Sequence, residues 1–315
     1  MLVTVTMNPS VDRTVALEEF RLGETNRVKE VRSDASGKGI NVSKALIKQG
    51  FTSTATGLLA GREGEFVEEA VRSAGITPRF TWLSKGQTRT NTKIFDIKHN
   101  RTTEINEPGP VVAAEDEAAF WQDFREILPQ ARFVICSGSL PPGIHPDFYA
   151  RLIETCREHG VKVCLDTSGP ALTAGVKAKP VMLKPNEDEV EQLLGWKPAG
   201  KEEMLAAVER LVHLGSELVV MSLGAEGAVF CRQGEEVLWG KAAAEPLAST
   251  SGCGDALVAG VVACLLTNRS WEETVRWSIA TATATAEIFG TGFPDEEHIR
   301  RVLPRVVVER LSPKN

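Results

Sequence analysis

The sequence predicts an α/β protein, with a mostly parallel sheet between two layers of helices and a small β-sheet lid. Short, almost continuously apolar runs such as LVTVT (2–6) and RFVICS (132–137) alternate with helical segments. Strands of this kind are buried on both faces, as they are in parallel sheets covered by helices. Two further segments of different composition break the alternation, and they predict the lid.

The core elements follow one another along the chain. After LVTVT, the segment KGINVSKALIKQG (38–50) is typical of a helix that ends at Gly50. The next elements are the strand STATGLLA, the helices EFVEEAVRSAG and DEAAFWQDFREIL, the strand RFVICS, the helix PDFYARLIETCREHG, and the strands VKVCLD, VMLKP and ELVVMSL. Helices are expected between these last strands.

The lid segments are residues 12–33 and 87–106, which are rich in Thr, Val, Ile and charged residues. Their period of two is typical of half-exposed antiparallel strands. We expect both to meet in one small sheet that covers a cleft. The remaining residues, 1–11, 34–86 and 107–315, are predicted to form the large α/β unit.

Composition narrows the choice of partners. The net charge of −6 argues against nucleic acid or an anionic membrane as the main partner. The chain has no apolar run of about 18 residues and no signal peptide at its start, so we expect a cytoplasmic protein with no membrane span. Its six cysteines form no C-x-x-C pair and lie mostly in apolar runs, which is typical of reduced cysteines. Its five histidines lack the spacing of zinc ligands.

The stretch SGCGDALVAGVVACLL (251–266) carries the strongest indication of chemistry. Gly252, Cys253 and Gly254 open a helix of small apolar residues, where free N–H groups and the helix dipole can bind an anion. An isolated Asp255 would ordinarily be a helix N-cap, but the flanking glycines favour a functional role. If the anion is a phosphoryl group in transfer, Asp255 is suited to accept the proton of the attacking hydroxyl.

Two common phosphate-binding motifs are excluded. A dinucleotide G-x-G-x-x-G motif would need glycine where the chain has Leu257. A Walker A loop that ends at Gly37 and Lys38 would need glycine in place of Arg32 and Ser or Thr in place of Gly39.

The stretch SGKGINVSKAL (36–46) has two interpretations. Gly37, Lys38 and Gly39 precede a helix whose first turn carries Asn41. They form either an ordinary glycine-rich helix start with a solvated lysine or a sugar site. In the second case backbone amides and Asn41 would bind hydroxyls, and Lys38 would bind a phosphate.

Three motifs follow predicted strands, and each also has a structural alternative. In LKPNEDEVEQLL (183–194), Lys184, Asn186 and Glu189 follow a strand and open a helix. Asn186 and Glu189 suit a water-mediated Mg²⁺ site beside nucleotide phosphates, or simple compensation of the helix dipole. SLGAEG suits a nucleotide that lies over the backbone, or a tight turn; it comprises Ser222, Leu223, Gly224, Ala225, Glu226 and Gly227. SGSLPPG (137–143) follows a strand at the edge where α/β proteins bind ligands, or it is only a turn.

The motifs NPSVD, GKGINV, TRTN, SGSLPPG, LKPNEDE, SLGAEG and GCGD occur in this order over nearly the whole chain. This order resembles the ribokinase-like carbohydrate kinases, in particular their phosphofructokinase B branch, and its bacterial members that act on fructose 1-phosphate and tagatose 6-phosphate. The resemblance implies a ribokinase-like three-layer αβα core with a β lid. It implies ATP- and Mg²⁺-dependent phosphorylation of D-fructose 1-phosphate, with tagatose 6-phosphate as the alternative acceptor and fructose 6-phosphate as a weaker one.

The resemblance also implies roles for residues. Asp255 would be the catalytic base, and the amides of Gly252, Cys253 and Gly254 would form the anion hole. Arg89 of TRTN would bind the substrate phosphate from the lid, and Glu189 would hold Mg²⁺ through water. Lys184, Asn186 and residues 222–227 would bind ATP, and the lid would join two subunits in a homodimer. The sugar site would comprise Asp12, Gly37, Lys38, Gly39, Asn41 and Ser139.

The chain departs from the common family pattern, which has a small apolar residue, then G-A-G-D and Ser or Thr. It has Ser251, Cys253 and Ala256 at these positions. The thiol of Cys253, at a helix N-terminus, is expected to have a lowered pKa. Some relatives bind a monovalent cation such as K⁺ beside the anion hole, and the matching loop here would be EIFGTGF (287–293).

A non-catalytic sugar-phosphate sensor on the same fold is the alternative from another class of protein. The presence of Asp255, of the anion-hole glycines and of the N-x-x-E pair argues against it, because a sensor would not need the base.

Overall fold

The structure is a computed structural model, which describes residues 1–288, 290 and 292–312 of the 315. It contains a ten-stranded sheet and a separate four-stranded sheet. The predicted α/β class with a small second sheet is therefore confirmed.

The strands within the described residues are β1 (Leu2–Thr6), β2 (Ser10–Leu17), β3 (Glu30–Ser36), β4 (Ser53–Leu59), β5 (Thr77–Trp82), β6 (Arg89–Asp96), β7 (Arg101–Ile105), β8 (Phe133–Ser137), β9 (Lys162–Asp166), β10 (Met182–Leu183), β11 (Leu218–Ser222), β12 (Ala228–Arg232), β13 (Leu238–Lys241) and β14 (Val307–Arg310). The helices are α1 (Lys38–Lys48), α2 (Gly61–Ser73), α3 (Ala114–Ile127), α4 (Phe148–Glu158), α5 (Gly169–Lys177), α6 (Glu187–Leu194), α7 (Gly200–His213), α8 (Cys253–Leu266), α9 (Trp271–Ala286) and α10 (Glu296–Val302).

The large sheet is parallel from β5 through β4, β1, β8, β9 and β10 to β11, and antiparallel from β11 through β12 and β13 to β14. Its strands face two hydrophobic clusters. In β8, Val134 and Cys136 pack into the cluster that contains residues of α3 and α4, whereas Phe133 and Ile135 pack into the cluster around α8 and α9. Alternate side chains thus bury opposite faces, which gives three layers.

The lid is the four-stranded sheet in the order β3-β2-β6-β7. The two outer pairs are antiparallel, but the inner pair β2 and β6 is parallel, so the expectation of antiparallel pairing is wrong for that pair. The reason is topological, because β2 follows β1 and β6 follows β5, and these two core strands run in the same direction. The strand β7 is exposed throughout rather than alternating.

Helix α8 is buried along most of its length, from Asp255 to Cys264. Its residues are apolar on all sides, as expected of a helix inside a core. Its small side chains allow close packing: a Cβ at Gly260 would lie 2.8 Å from the Cα of Ser278 in α9. Ser251, just before this helix, lines a cavity between the core and the lid.

Candidate active site

Asp255 is the third residue of α8, not its cap. The N-cap is Gly252, whose φ of 79° is in the left-handed region that favours glycine. Among the residues that the structure describes, no side chain caps this helix. The N-cap interpretation of Asp255 is therefore wrong, and its carboxylate is available for another role.

The Asp255 carboxylate is 6% exposed, and the Asn41 Nδ2 donates a hydrogen bond to its Oδ2 at 2.8 Å. Burial, followed by the negative charge of Asp166, raises the pKa of Asp255 to about 6, against the opposing effects of Lys38, Asn41 and Lys184. A base with a pKa near 6 is ionised at neutral pH and is still able to take up a proton.

Asp166, at the end of β9, is a central charge of the site that the sequence analysis missed. It is 1% exposed, and its Oδ1 accepts hydrogen bonds from Lys38 Nζ at 2.9 Å and from Lys184 Nζ at 3.2 Å. Burial acts to raise the pKa of Asp166, but the two lysines outweigh burial and hold it below its usual value. The sequence did carry an indication, because VKVCLD places an acid at the carboxyl end of a buried strand.

Lys38 is thus an ion-pair partner and not a freely solvated lysine. Burial acts to lower its pKa, but Asp166 and Asp255 together raise it, so its ammonium group stays charged. Lys38 thus contacts Asp166 at the end of β9 and lies near Asp255 at the start of α8. Its predicted contact with the acceptor's phosphate stays a prediction.

The glycines on either side of Lys38 each have a structural role. Gly37 is the N-cap of α1. A Cβ on Gly39 would lie 2.5 Å from Thr6 Oγ1 and 3.0 Å from the Val5 carbonyl oxygen. Glycine is therefore required for α1 to pack on β1, whether or not the amides also bind a sugar.

Asn186 and Glu189 form a reciprocal capping box at the start of α6. The Glu189 N–H donates to Asn186 Oδ1 at 2.8 Å, and the Asn186 N–H donates to Glu189 Oε2 at 2.9 Å. This cap is a structural function of the N-x-x-E spacing. Glu189 is 7% exposed, and burial raises its pKa.

The carboxylates of Asp166 and Glu189 fit a magnesium ion that is held mainly through water. Within the described residues, no group of three or more His, Cys, Asp and Glu residues is arranged to hold a metal. One oxygen, Asp166 Oδ2, is buried without a hydrogen-bond partner there, and the capping box uses only Oε2 of Glu189. Magnesium commonly keeps several waters and binds only one or two carboxylates.

The SLGAEG segment is the turn between β11 and β12, so the tight-turn alternative describes its geometry. The Leu223 N–H donates to the Gly227 carbonyl at 2.8 Å around a single 3-10 turn. Ser222 forms a parallel bridge with Asn186, which brings this turn beside the capping box. Its role in binding a nucleotide stays a prediction.

Asp12 lies on the lid and is 4% exposed. Its Oδ1 accepts hydrogen bonds from Ser10 Oγ at 2.8 Å and from Asn91 Nδ2 at 3.2 Å, and its Oδ2 lies 2.9 Å from Lys93 Nζ. Ser10, Asn91 and Lys93 were not predicted from the sequence as site residues. The period of two that predicted the lid strands also places Asn91 and Lys93 on the same face.

Arg89 lies at the start of β6, where the lid joins the core. Its guanidinium donates to the carbonyl oxygens of Asn8 and Glu107, each at 3.0 Å. Asn8 Nδ2 also donates to Ser139 Oγ at 3.4 Å, so Arg89 and Ser139 share a neighbour, while their predicted roles stay predictions. The buried Nε of Arg89 has no partner within the described residues.

A cavity of about 470 Å³ lies between the lid and the segment that precedes α8. Lys93 lines it from β6, and Ser249 and Ser251 line it from the opposite wall. Asp255 does not line this cavity, which therefore forms the outer part of the cleft between the lid and the core.

The prediction of a lowered pKa for Cys253 is wrong, because burial and the nearby charge of Asp255 raise the pKa of its thiol to about 11. The predicted monovalent-cation loop includes Phe289 and Thr291, which lie outside the described residues.

Comparison with known proteins identifies the family. The model of the pfkB family carbohydrate kinases matches residues 5–298. The chain belongs to this family. A 1-phosphofructokinase of Bacillus subtilis is 34% identical to it over 99% of this chain and 100% of the relative. A second 1-phosphofructokinase, of Rhodobacter capsulatus, is 36% identical over 99% of this chain and 98% of the relative. A tagatose-6-phosphate kinase of Staphylococcus epidermidis is 31% identical over 98% of this chain and 99% of the relative.

Solved structures agree with this assignment. A protein of Thermotoga maritima described as a possible 1-phosphofructokinase superposes with a TM-score of 0.89 at 29% identity, over 99% of this chain and 100% of that one. Phosphofructokinase-2 of Escherichia coli in complex with potassium superposes with a TM-score of 0.89 at 25% identity, over 96% of this chain and 98% of that one. The protein is a phosphotransferase that acts on a sugar hydroxyl, as predicted. No helix in the described part of the chain is long and apolar enough to cross a membrane.

Proposed function

We propose that this pfkB family kinase transfers the γ-phosphoryl group of ATP to D-fructose 1-phosphate and releases fructose 1,6-bisphosphate and ADP. The observation that carries the proposal is the buried Asp255 carboxylate, with its raised pKa, at the N-terminus of α8. The relatives named 1-phosphofructokinase, which match over almost their whole length, support this choice of acceptor.

In the proposed mechanism the free primary hydroxyl of the acceptor attacks the γ-phosphorus of ATP. A new O–P bond forms as the bond to the β,γ-bridging oxygen breaks, and ADP leaves. Asp255 takes the hydroxyl proton, and Asn41 fixes the orientation of its carboxylate through the bond to Oδ2. Charge on the transferred group is stabilised by the amides of Gly252–Gly254 and by the ammonium group of Lys38.

Magnesium, when bound, would neutralise charge on the ATP phosphates. We propose that Glu189 and Asp166 hold it through water, with Lys184, Asn186 and the turn of residues 222–227 beside the nucleotide. The acceptor would lie between the lid and α1, with Asp12, Asn41 and the amides at Gly37 and Gly39 on its hydroxyls. Arg89 would bind its existing phosphate, and Ser139 would contact the sugar.

Two features of the assembled enzyme belong to the same proposal. The lid exposes large apolar side chains, with Leu22 92% and Ile105 56% exposed, and we propose that a second subunit covers them in a homodimer. A monovalent cation beside the anion hole is proposed from the predicted loop and from the potassium complex of the Escherichia coli relative.

Tagatose 6-phosphate is the second candidate acceptor, favoured by the Staphylococcus epidermidis relative. The mechanism would be the same, because this sugar also carries a phosphate at one end and a free hydroxyl at the other. A non-catalytic sensor is disfavoured, because the buried Asp255 carboxylate, its hydrogen bond from Asn41 and the helix N-terminus beside it suit phosphoryl transfer.

A panel of acceptors tests the proposed function. ADP release is measured with fructose 1-phosphate, tagatose 6-phosphate, fructose 6-phosphate and unphosphorylated fructose at equal concentrations. We expect the highest kcat/KM with fructose 1-phosphate. A higher value for tagatose 6-phosphate would transfer the assignment to the second candidate, and equal turnover of free fructose would overturn the phosphosugar assignment.

A further inference from the structure

One face of the lid carries a row of charged and polar side chains toward the core. The register pairs Ser10 with Arg89, Asp12 with Asn91, and Thr14 with Lys93. Alternate residues of a strand share a face, so Arg89, Asn91 and Lys93 project from the same side of β6. The row therefore runs from a cation, past the Asp12 carboxylate and the Asn91 amide, to a second cation.

Lys93 extends from this row across the cleft. Its side chain is 14% exposed, and its Nζ lies 2.9 Å from Asp12 Oδ2 and 3.5 Å from Ser251 Oγ. Ser251 directly precedes Gly252, the N-cap of α8. The lid thus brings an ammonium group within one residue of the amides that form the predicted anion hole.

The ammonium group is kept charged where it lies. Burial acts to lower the pKa of Lys93, but Asp12 and then Glu104 outweigh burial and raise it. Glu104, on β7, is 3.7 Å away and is half exposed, so Asp12 is the nearer partner. A bound phosphoryl group would offer Lys93 further oxygen acceptors beside Ser251.

We propose that Lys93 is a catalytic residue that binds the phosphoryl group in transfer from the lid side of the anion hole. The inference rests on the proposed sugar-phosphate kinase function and adds a residue that this function did not use. Lys93 stays protonated throughout, so it takes part by charge and hydrogen bonding alone.

The order of the groups along the row agrees with this role. Arg89 and Lys93 are four residues apart on one strand, which separates their Cα atoms by about 13 Å. A hexose 1,6-bisphosphate also has an anionic group at each end and hydroxyls between them. Arg89 would bind the phosphate that the acceptor brings, Asp12 and Asn91 would bind hydroxyls, and Lys93 would bind the phosphate that the reaction adds.

The test separates the two phosphates. Lys93→Met keeps the length of the side chain and removes its charge, Lys93→Arg keeps the charge, and Lys98→Met is the matched control. Lys98 is a lid lysine that is 55% exposed and pairs with Glu19 at 2.8 Å. Affinities for fructose 1-phosphate and fructose 1,6-bisphosphate are measured by titration calorimetry, alongside kcat and the melting temperature.

For Lys93→Met we expect kcat and the affinity for the bisphosphate each to fall about tenfold or more, the loss of a charge-assisted hydrogen bond. The affinity for fructose 1-phosphate should stay within about twofold, Lys93→Arg should recover much of the loss, and Lys98→Met should resemble the wild type. Equal losses for both sugars would make Lys93 a support for Asp12 and overturn the proposal. An unchanged kcat would overturn it as well.

The wild type distinguishes a failure of this proposal from a failure of the proposed function. If it phosphorylates tagatose 6-phosphate and not fructose 1-phosphate, the proposed acceptor is wrong. The same comparison is then made with tagatose 6-phosphate and tagatose 1,6-bisphosphate. A selective loss of affinity for the bisphosphate would again support the role of Lys93, and equal losses would overturn it, because both products carry the added phosphate at the hydroxyl facing Asp255.

Discussion

Asn41 and Asp255 are 214 positions apart in the chain, and Asn41 Nδ2 donates to Asp255 Oδ2 at 2.8 Å. The contact joins the first turn of α1 to the first turn of α8. It orients the carboxylate, while the Oδ1 of Asn41 is buried without a partner within the described residues. A sugar hydroxyl that donates to this oxygen would lie next to the proposed base.

The pKa of Asp255 predicts the acid limb of the pH profile. Because the base must be ionised, kcat/KM should rise with pH and level off above an inflection near the pKa of about 6. The hydrogen bond from Asn41 lowers this pKa, so Asn41→Leu should move the inflection to higher pH. Initial rates between pH 5 and pH 9 measure both effects, and a wild-type profile with no inflection in this range would contradict the role of Asp255.

Glu189→Gln should raise the magnesium concentration needed for half-maximal activity by about threefold or more. The amide keeps an acceptor oxygen for the capping box, so the free energy of unfolding should change little. Magnesium titrations at fixed ATP, with a melting curve for each variant, make the measurement. Glu187→Gln, in the same helical turn, is the control, and a titration that matches it would exclude Glu189 from the metal site.

Arg89→Ala should raise the KM for fructose 1-phosphate about tenfold or more and leave the KM for ATP nearly unchanged. The physical reason is the loss of a charge-assisted hydrogen bond to the substrate phosphate, worth about 1.5–3 kcal/mol. Steady-state kinetics with each substrate varied in turn give both constants.

Arg101→Ala is the matched control for this change, since Arg101 lies on the lid but pairs with Asp96 at 3.5 Å and is 63% exposed. Equal increases in both KM values for Arg89→Ala would assign Arg89 to the nucleotide or to lid folding, where its bonds to Asn8 and Glu107 would be the cause.

The features that depend on a local sequence pattern were predictable. Those that depend on contacts between residues far apart in the chain were not. The glycines around Cys253 and the apolar run after Asp255 are local, so α8 and its glycine-flanked start were predictable. The ion pairs of Asp166 with Lys38 and Lys184 join β9, the start of α1 and the end of β10. Periodicity alone does not say which strand ends are neighbours, so this centre needed the sheet order.

The thiol of Cys253 illustrates a second limit. A helix N-terminus lowers a thiol pKa, but burial and the charge of Asp255 act in the opposite direction and prevail. Neither burial nor that neighbouring charge can be weighed from sequence.

The lid should join two subunits. Val31 and Ile105 of the lid sheet are exposed by 49% and 56%, and Leu22 in the connection between β2 and β3 is exposed by 92%. Exposed apolar side chains grouped in this way are typical of an interface. We expect sedimentation analysis to give a dimer at micromolar concentration, and Ile105→Asp to weaken it. Val111→Asp, at a residue outside the lid that is 74% exposed, serves as the control. A monomer at every concentration would refute the lid interface.

The most direct test of the account is Asp255→Asn, assayed with ATP and fructose 1-phosphate. The isosteric amide cannot take up the proton, so kcat should fall by about three orders of magnitude or more, while both substrates still bind. Because the folded pKa is raised above the ordinary value of 3.8, the buried charge costs stability once the pH rises through about 6. The variant should therefore melt no lower than the wild type at pH 8. A correctly folded Asp255→Asn protein that keeps near-normal kcat would show that another group accepts the proton, and would contradict the mechanism.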